Sequence, residues 1–480
     1  MINRMKAEKA NKHIILLAIT SGAFLLVLTN SAFNVLLPEF VRIYDISAAL
    51  GGWMITLYML AMTMTMPLTS LIVDRIGRKR AYIMGLAVYC VFSIMGGLFY
   101  KHIEVVLLVR LMHGAAAGLM IPLSLVLLFD HYGHEMRGRI TGLWGMLLMV
   151  APAIGPTLGG LVMEFGEIKF LFWINVPFAL CSLILCCTQI ASYQPVRRKT
   201  FYPEGVVLML FSIFAMSLGI HLISVKAVSL WLPVTLMLLG TAAGVRFIQK
   251  ENGRTEPLIR YRLLQGNPVY AMTVLISAIQ DSVMFGVIFV LPLLLQEVFH
   301  FSPAMTGAIF IPAAIFTSMF SWIGGSFVDK GRSLNFIAYG IVLIAGSVLV
   351  FAFFSQQVSF FVMALMMATR GMGNGLSSLT ITTVGLNSLP EEDLHEGSVL
   401  SSTIERLASS FAVMLLAVYY EVRWQAIASA GETAELAKWL ALKEECFALG
   451  ILMLATLPLV LVVKRKKVAI DVGNRRQSAV

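Results

Sequence analysis

The segment VAPAIGPTLGGL, residues 150–161, contains two prolines and three glycines in the middle of a strongly apolar run. Proline and glycine are the residues least favourable to a helix interior, so a helix that includes them needs a specific reason. Ala151, Gly155 and Gly159 recur every four residues and share one helix face, and the two prolines share a neighbouring face. The segment therefore predicts a helix with a smooth face for close packing, bent or loosened at its prolines.

The composition of the whole chain is that of a membrane protein. Of its 480 residues, 58% are hydrophobic and 13% are charged, whereas about a quarter of an ordinary soluble domain is charged. Apolar runs long enough to cross a bilayer recur from end to end. The alternative, a soluble protein with a large core, would need far more charged surface. The five cysteines show no disulfide or metal-binding spacing and are predicted to pack as small apolar residues.

The apolar runs predict fourteen membrane-spanning helices. The first run follows basic residues, as a signal peptide would, but it is too long and lacks a cleavage site, so we expect it to be retained. The predicted limits are 13–37, 49–71, 81–99, 104–128, 139–163, 168–190, 204–224, 229–248, 268–296, 304–327, 334–354, 358–388, 397–420 and 443–463.

The distribution of lysine and arginine orients these helices. With an even number of spans, one side carries both termini and the loops after even-numbered helices, and it holds 26 of the 36 Lys and Arg residues. The opposite side holds seven, and three lie within spans. Because positively charged loops stay in the cytoplasm, both termini are predicted there, in a bacterial plasma or inner membrane. The net charge of +10 is then an orientation signal, and no nucleic-acid partner is expected.

Two loops indicate an internal duplication. LIVDRIGRKR and SFVDKGRS place Asp74 and Asp329 255 residues apart, and Arg110 and Arg370, inside later spans, are 260 apart. A repeated six-helix unit is typical of transporters. The predicted fold is therefore all-α and membrane-integral, with an N-terminal tail, a six-helix bundle, a two-helix insert with its linker, a second six-helix bundle and a C-terminal tail, at 1–12, 13–195, 196–262, 263–463 and 464–480.

The loop DRIGRKR, residues 74–80, places one carboxylate among four cations at a short helix junction. Anchoring by positive charge is the simpler interpretation, but Asp74 does not serve it, and Gly77 indicates a tight turn. A carboxylate beside arginines can form a charge-assisted latch against another helix end. The candidate latch residues are Asp74, Arg75, Gly77, Arg78 and Lys79, with Asp329 and Arg332 from the degenerate second loop.

Three of these stretches together resemble the major facilitator superfamily. SLIVDRIGRKR, residues 70–80, is similar to its signature loop, with Ser70 in place of the first glycine. RLMHG, which begins at Arg110, resembles its helix-4 pattern, with His113 in the glutamine position. GPTLGG, which begins at Gly155, resembles the helix-5 pattern that accompanies export by antiport.

Two further stretches, WMITLYML with Trp53 and Tyr58, and WINVP, residues 173–177, resemble the fourteen-helix drug:proton antiporter family. The resemblance covers essentially the whole chain. It implies two six-helix bundles that rock around a central cavity. It also implies that the helix-5 face seals one side of that cavity, where residue composition alone indicates only a packing face. The residues of this antiporter helix are Ala151, Pro152, Gly155, Pro156, Gly159 and Gly160.

The resemblance also assigns Arg110 to proton coupling, through its effect on a nearby acid. A charge within a membrane span is costly, so it faces the protein interior or water. A structural ion pair, or a side chain that reaches the outer surface, is the alternative. His113 lies on the same face, and a histidine side chain can carry a proton near neutral pH, although polar packing is the commoner role for such a histidine.

The first helix departs from the family pattern. LTNSAFNVLLP, residues 28–38, retains Asn34 but has Thr29 where the family has an aspartate. The acids that bind protons must therefore lie elsewhere. Asp281, near the middle of span 9, and Glu405, inside span 13, are the candidates.

A carboxylate removed from water in a membrane cavity binds a proton more tightly and can exchange it near neutral pH. When ionised, it can bind a cationic substrate instead, which is the simplest form of exchange. The alternatives are structural ion pairs, of Asp281 with Arg370 and of Glu405 with Arg406. The candidate cavity residues are Asn34, Tyr58, Asp281 and Arg370.

These features predict a proton-coupled exporter of lipophilic, cationic drugs. The sequence has no nucleotide-binding loop and no catalytic or metal-ligand set, so we expect no enzymatic activity, metal or cofactor. The expected partners are small lipophilic substrates, protons and the bilayer, and two joined bundles suffice for a functional monomer. The alternatives are a proton-coupled exporter of a specific metabolite, an anionic compound or a metal–drug chelate and, more remotely, a receptor or scaffold that transports nothing.

Overall fold

The computed structural model describes residues 12–36, 40, 43–46, 48–133, 136–165, 167–190, 202–223, 228–254, 257, 260–301, 303–329, 333–354 and 358–465. These residues form helices joined by turns and contain no strand, so the predicted all-α class is confirmed. The ends of the chain, 1–11 and 466–480, lie outside the described residues.

Seventeen α-helices are named below, and a further helical stretch, residues 457–465, follows the last of them after a two-residue turn. The first ten are α1 (Lys12–Val35), α2 (Ala48–Thr65), α3 (Leu68–Ile76), α4 (Arg78–Leu98), α5 (Ile103–Tyr132), α6 (Arg137–Phe165), α7 (Lys169–Trp173), α8 (Asn175–Gln189), α9 (Pro203–Ile223) and α10 (Trp231–Asn252). The others are α11 (Arg262–Gly266), α12 (Pro268–Leu293), α13 (Pro303–Asp329), α14 (Ser333–Phe353), α15 (Phe360–Leu386), α16 (Leu394–Ser429) and α17 (Ala434–Leu454). A π-helical turn, Leu294–Val298, follows α12.

The predicted second span is two helices in the structure. Residues 49–71 were expected to form one helix, but α2 ends at Thr65 and α3 begins at Leu68, with a bend of 56°. Pro67 lies in the break, where the missing N–H and the ring of proline interrupt helical hydrogen bonding. α3 then ends at Gly77, whose φ of 85° only glycine adopts readily.

Eleven described helices are long and apolar enough to cross a membrane, or twelve if α2 and α3 form one span. Each predicted span overlaps a described helix. The 29-residue α6 and the 27-residue α15 lie outside that count. The predicted number of fourteen spans is therefore not confirmed.

Contacts divide the chain into two units. Unit 1 comprises the described residues within Met1–His134, Leu147–Ile259 and Pro303–Ala308, and unit 2 those within Glu135–Met146, Arg260–Ser302 and Ile309–Val480. The core of unit 1 is built around the rings of Phe33, Phe40 and Phe172. The core of unit 2 joins α12, α14, α15 and α17 through aliphatic side chains. The predicted domain limits stay predictions.

The glycine-rich segment lies in α6, which runs without interruption past both of its prolines. Its small residues pack on α1, within unit 1. A Cβ atom on Gly155 would lie 2.6 Å from the Cβ of Ser31 and 2.9 Å from the backbone nitrogen of Ala32. A Cβ atom on Gly159 would lie 3.2 Å from the Ala32 carbonyl oxygen. The close-packing face is therefore present, and the seal between the two bundles stays a prediction.

Candidate functional site: two buried polar clusters

Unit 2 contains a cluster of two carboxyl groups and one guanidinium, which we name the acidic cluster. Asp281 on α12 approaches Arg406 on α16, with 3.4 Å between Asp281 Oδ2 and Arg406 Nη1. Glu405, the residue before Arg406, interacts electrostatically with Asp281 and lies beside the hydroxyls of Ser277 and Thr382. Extensive packing of α12 against α16 brings these groups together, although they are 124 residues apart.

The acidic cluster is shielded from water. Only 15% of the Asp281 side chain and 23% of the Arg406 side chain are exposed. Asp281 Oδ2 and Glu405 Oε1 are buried and accept no hydrogen bond from the described residues. The Arg406 guanidinium also lies 4.7 Å from the centre of the Phe285 ring, a cation–π distance. Two acids therefore share one cation in a dry environment.

The alternative partner predicted for Asp281 was wrong. Arg370 on α15 donates from Nη2 to the carbonyl oxygen of Met284 at 3.0 Å, and the cation beside Asp281 is Arg406. Met284 lies almost one helical turn beyond Asp281. Arg370 therefore contacts α12 one turn away from the Asp281 carboxyl. No carboxylate of the described residues forms an ion pair with Arg370, which is 3% exposed.

Unit 1 contains the second cluster, which we name the basic cluster. Arg110 on α5 is fully buried, and its Nε and Nη2 donate at 2.7 Å to the Met54 carbonyl oxygen and to Asn30 Oδ1. Its guanidinium is 4.6 Å from the ring centre of Phe33 and 4.4 Å from that of Tyr58. Among the described residues its partners are thus neutral, and Nη1 has no hydrogen-bond partner.

A chain of neutral polar groups continues from the basic cluster. His113 Nε2 lies 3.1 Å from Ser93 Oγ, and the imidazole ring packs 4.2 Å from the ring of Tyr89. The Tyr89 hydroxyl donates to Thr29 Oγ1, and Thr29 donates to Asn175 Oδ1 at 2.7 Å. Thr29, which occupies the position of the family's aspartate, therefore serves as a neutral hydrogen-bonding link.

The sequence analysis identified Arg110, His113, Tyr58 and Thr29 but did not identify the amides of Asn30 and Asn175, to which Arg110 and Thr29 donate. Asn30 and Thr29 lie in the first helix, and Asn175 lies in the WINVP stretch. A buried amide in an apolar helix must find hydrogen-bond partners, so an asparagine in such a stretch was the available signal. What the sequence does not show is which distant helix supplies those partners.

The candidate latch loop binds the ends of two other helices in unit 1. Arg78 Nη1 contacts both carboxylate oxygens of Asp130, near the end of α5, at 2.5 and 2.7 Å. Lys79 Nζ donates to the carbonyl oxygens of Cys187 and Ile190, at the end of α8. A cation at a helix C-terminus satisfies free carbonyls and opposes the helix dipole. The loop therefore ties α4 to α5 and α8.

Some predicted site residues lie outside the described side chains. These are Asn34 of the candidate cavity, Pro152, Pro156 and Gly160 of the antiporter helix, and Asp329 and Arg332 of the second loop. Ala151, Gly155 and Gly159 are buried.

The Major Facilitator Superfamily profile matches residues 19–413 of this chain, which is most of its length. The chain belongs to this superfamily of membrane transporters. The same fold is found in the human organic anion transporter MFSD10 (TETRAN), with a TM-score of 0.66 at 15% identity over 94% of this chain and 100% of that one. The POT family transporter PepTSo has a TM-score of 0.62 at 14% identity over 94% and 99%.

Bacterial superfamily members are similar in sequence. The Multidrug export protein EmrB of Haemophilus influenzae is 26% identical over 423 residues, which cover 84% of this chain and 79% of that protein. The Multidrug transporter protein MdtP of Bacillus subtilis is 24% identical over 87% of this chain and 77% of that protein. The predicted superfamily and all-α membrane fold class are confirmed, the chain is a multi-pass membrane transporter, and membership of the fourteen-helix drug:proton antiporter family stays a prediction.

Proposed function

We propose that this transporter exports lipophilic cations in exchange for protons and that the acidic cluster is the exchange site. The observation that carries the proposal is the imbalance of charge in this cluster. Asp281 and Glu405 share a single cation, Arg406, in a site shielded from water.

The charge balance requires one exchangeable proton. With both carboxyls ionised, the cluster has a net charge of −1, and an uncompensated charge in a medium of low dielectric constant is strongly unfavourable. One bound proton makes the cluster neutral, and so does one bound monovalent cation. Protons and a cationic substrate therefore compete for the same site, and this competition is what couples their movements in opposite directions.

Of the two acids, Glu405 is the better carrier of this proton. Arg406 is paired with Asp281 and favours its ionised form. Glu405 instead lies beside the hydroxyls of Ser277 and Thr382, which can donate to its ionised form and accept from its protonated form. Because the two carboxyls interact electrostatically, the charge balance applies to the pair as a whole.

The relatives support the substrate class and the membrane. Two of them carry multidrug export or transport in their names, and both are bacterial. Lipophilic drugs that are cations at neutral pH fit a site that needs one positive charge, and Phe285 offers an aromatic face beside it. The positive charge of the predicted cytoplasmic loops supports a bacterial plasma membrane protein with both termini on the cytoplasmic side.

A second candidate function rests on two buried arginines, Arg110 of the basic cluster and Arg370 of unit 2. Arg110 and Arg370 are buried cations without a carboxylate partner in the described part of the chain. Such cations could bind an acidic group of a substrate, and export of an anionic metabolite would then be the function.

Transport in a purified system distinguishes the two candidates. The protein is reconstituted in liposomes, an outward or inward pH gradient is imposed, and the uptake of a fluorescent lipophilic cation and of a matched lipophilic anion is recorded. Gradient-driven uptake of the cation, abolished by a protonophore, is the expected result. Uptake of the anion alone would reject cation export and favour the second candidate. Uptake of the cation at the same rate with and without a pH gradient would reject proton exchange.

A further inference from the structure

A third buried carboxyl lies in unit 2, apart from the acidic cluster. Glu445 on α17 is 1% exposed, and neither of its side-chain oxygens has a hydrogen-bond partner in the described residues. The residues around it on its own helix, Ala441, Leu442 and Leu449, belong to the apolar core of unit 2. A carboxyl group in such surroundings has nothing to stabilise a negative charge.

The next residue in the chain behaves in the opposite way. Glu444 is 40% exposed, and its two oxygens accept hydrogen bonds at 2.8 Å from Nε and Nη2 of Arg423 on α16. Tyr419 also donates to it. Glu444 therefore forms the ion pair with Arg423 on α16. Glu445, which is buried in the core, has no such partner among the described residues.

The helices packed against α17 supply no other counter-ion. α14 contains no charged residue, and the charged residue of α12, Asp281, lies at the level of the acidic cluster. On α16, Glu445 approaches the backbone of Tyr420, and the nearby Glu421 accepts hydrogen bonds from Trp424 and Gln425. The side chain of Glu297, in the π-helical turn, lies outside the described residues.

The two lysines of α17 lie over tryptophan rings and form no ion pair with Glu445. Lys443 Nζ lies 4.3 Å from the ring centre of Trp439, and Lys438 Nζ lies 5.6 Å from that of Trp424. Cys446, the neighbour of Glu445, is a neutral and buried thiol. Within the described residues no cation forms an ion pair with Glu445.

We propose that Glu445 is a proton-binding site separate from the acidic cluster, occupied for as long as α17 packs against α16. A carboxyl with two unpaired oxygens in an apolar core is stable there only in its neutral, protonated form. Its proton can leave when the seam between α16 and α17 opens and water reaches the carboxyl. The site thus links proton release to the packing of two helices, and it does not depend on the identity of the substrate.

Infrared spectroscopy of the purified full-length protein tests this directly. A protonated, buried carboxyl gives a C=O band that ionised carboxylates lack, and uniform ¹³C labelling of glutamate shifts the bands of glutamic acid but not those of Asp281. At neutral pH, we expect a glutamic-acid band that remains in Glu405→Gln, which removes the other buried candidate, and in Glu444→Gln, the matched control. Because Glu405 gives a second glutamic-acid band under the proposed function, Glu445→Gln should lose only part of the wild-type signal, and the double variant Glu405→Gln/Glu445→Gln should lose all of it.

Two results would overturn the proposal: a Glu405→Gln protein without a glutamic-acid band, or a Glu445→Gln protein in which the band is unchanged. If Glu445→Gln does not fold, the presence or absence of the glutamic-acid band in labelled Glu405→Gln is the test. Glu251, the other buried glutamate near a helix end, differs from Glu445 because it forms an ion pair with Arg254.

Hydrogen exchange tests the link to helix packing. In the wild type and in Glu444→Gln, alkaline buffer should lower the protection of the amides of α17 after correction for the intrinsic rate, because ionised Glu445 favours hydration of the seam. In Glu445→Gln the protection should not change with pH. Equal pH dependence in all three proteins would contradict a proton-linked seam.

Discussion

The basic cluster of unit 1 and the acidic cluster of unit 2 differ in the charged groups that they bury. Arg110 and Arg370, the two arginines related by the internal repeat, are both buried and both donate to the backbone carbonyl of a methionine on a neighbouring helix. Around Arg110 the described partners are an amide, a carbonyl and two aromatic rings. Beyond the Arg370 contact, α12 and α16 add two carboxyls and a further arginine.

This difference in charge suits the basic cluster to holding Arg110 in position and the acidic cluster to the proposed proton exchange. Neutral partners hold Arg110 in place. Among the described residues, none of these partners is a carboxylate that a proton could neutralise. The acidic cluster has one carboxyl more than it has cations, so it can be neutral only with an added proton or cation. Under the proposed function, one half of the predicted repeat holds its arginine in a fixed geometry and the other half binds the exchanged ions.

The largest effect is expected from removing the extra acid. Glu405→Gln leaves Asp281 paired with Arg406 and no exchangeable proton, so gradient-driven uptake should fall by about tenfold or more, equivalent to about 1.4 kcal/mol or more. Uptake into proteoliposomes measures this. Glu421→Gln, which changes another glutamate of the same helix, is the control and should transport normally. Full activity in Glu405→Gln would move the exchange site away from the acidic cluster.

The basic cluster should matter first for stability. Arg110→Ala removes the donors to Asn30 and to the Met54 carbonyl and leaves a void between Phe33 and Tyr58. The expected cost is about 2–5 kcal/mol, from unpaired acceptors and lost packing. Thermal unfolding in detergent measures it.

The same variant also tests the division of roles. In the fraction of Arg110→Ala protein that folds, the ratio of protons to substrate should equal that of the wild type. A changed ratio would return Arg110 to the proton-coupling role that its family resemblance implies.

The packing of α6 on α1 sharpens the comparison, because α1 carries Asn30 and Phe33 of the basic cluster. Gly155→Ala places a methyl group against the backbone of Ala32 and should cost about 1–3 kcal/mol. Gly159→Ala meets looser contacts and should cost less. Melting temperatures of the two variants give the order, and the reverse order would show that α6 does not fix α1 in the way described.

The smallest effect is expected at the candidate latch loop. Lys79→Ala removes the cation that binds the last carbonyls of α8 and should cost about 0.5–1 kcal/mol, the usual contribution of a charge at a helix end. Arg80→Ala is the control, since Arg80 is exposed. Lys79→Ala should melt at a slightly lower temperature than Arg80→Ala. Equal melting temperatures would show that the Lys79 contacts do not stabilise the protein.

Sequence reasoning found the fold because apolar runs, loop charges and repeated loops are local signals. It also found Asp281 and Glu405, because a carboxylate in an apolar run is conspicuous. It did not find the break at Pro67, where an apolar run hid a change of helix direction. It named Arg370 as the alternative partner of Asp281 although Arg406 was also present, because only tertiary packing determines which cation lies beside which acid. Glu445 was overlooked near the start of its predicted span, where a glutamate reads as an interfacial residue.

The central claim is that the acidic cluster works through its charge balance, and a double-substitution experiment tests it most directly. Gradient-driven uptake of a lipophilic cation is compared in the wild type, Asp281→Asn, Arg406→Gln and the variant that carries both substitutions. Asp281→Asn leaves one acid with one cation and no exchangeable proton, and Arg406→Gln leaves two acids with no cation. Both single variants should therefore transport poorly. The double variant restores one acid in excess, on Glu405, and should recover gradient-driven uptake well above either single variant. A double variant no more active than Asp281→Asn would contradict the charge-balance account.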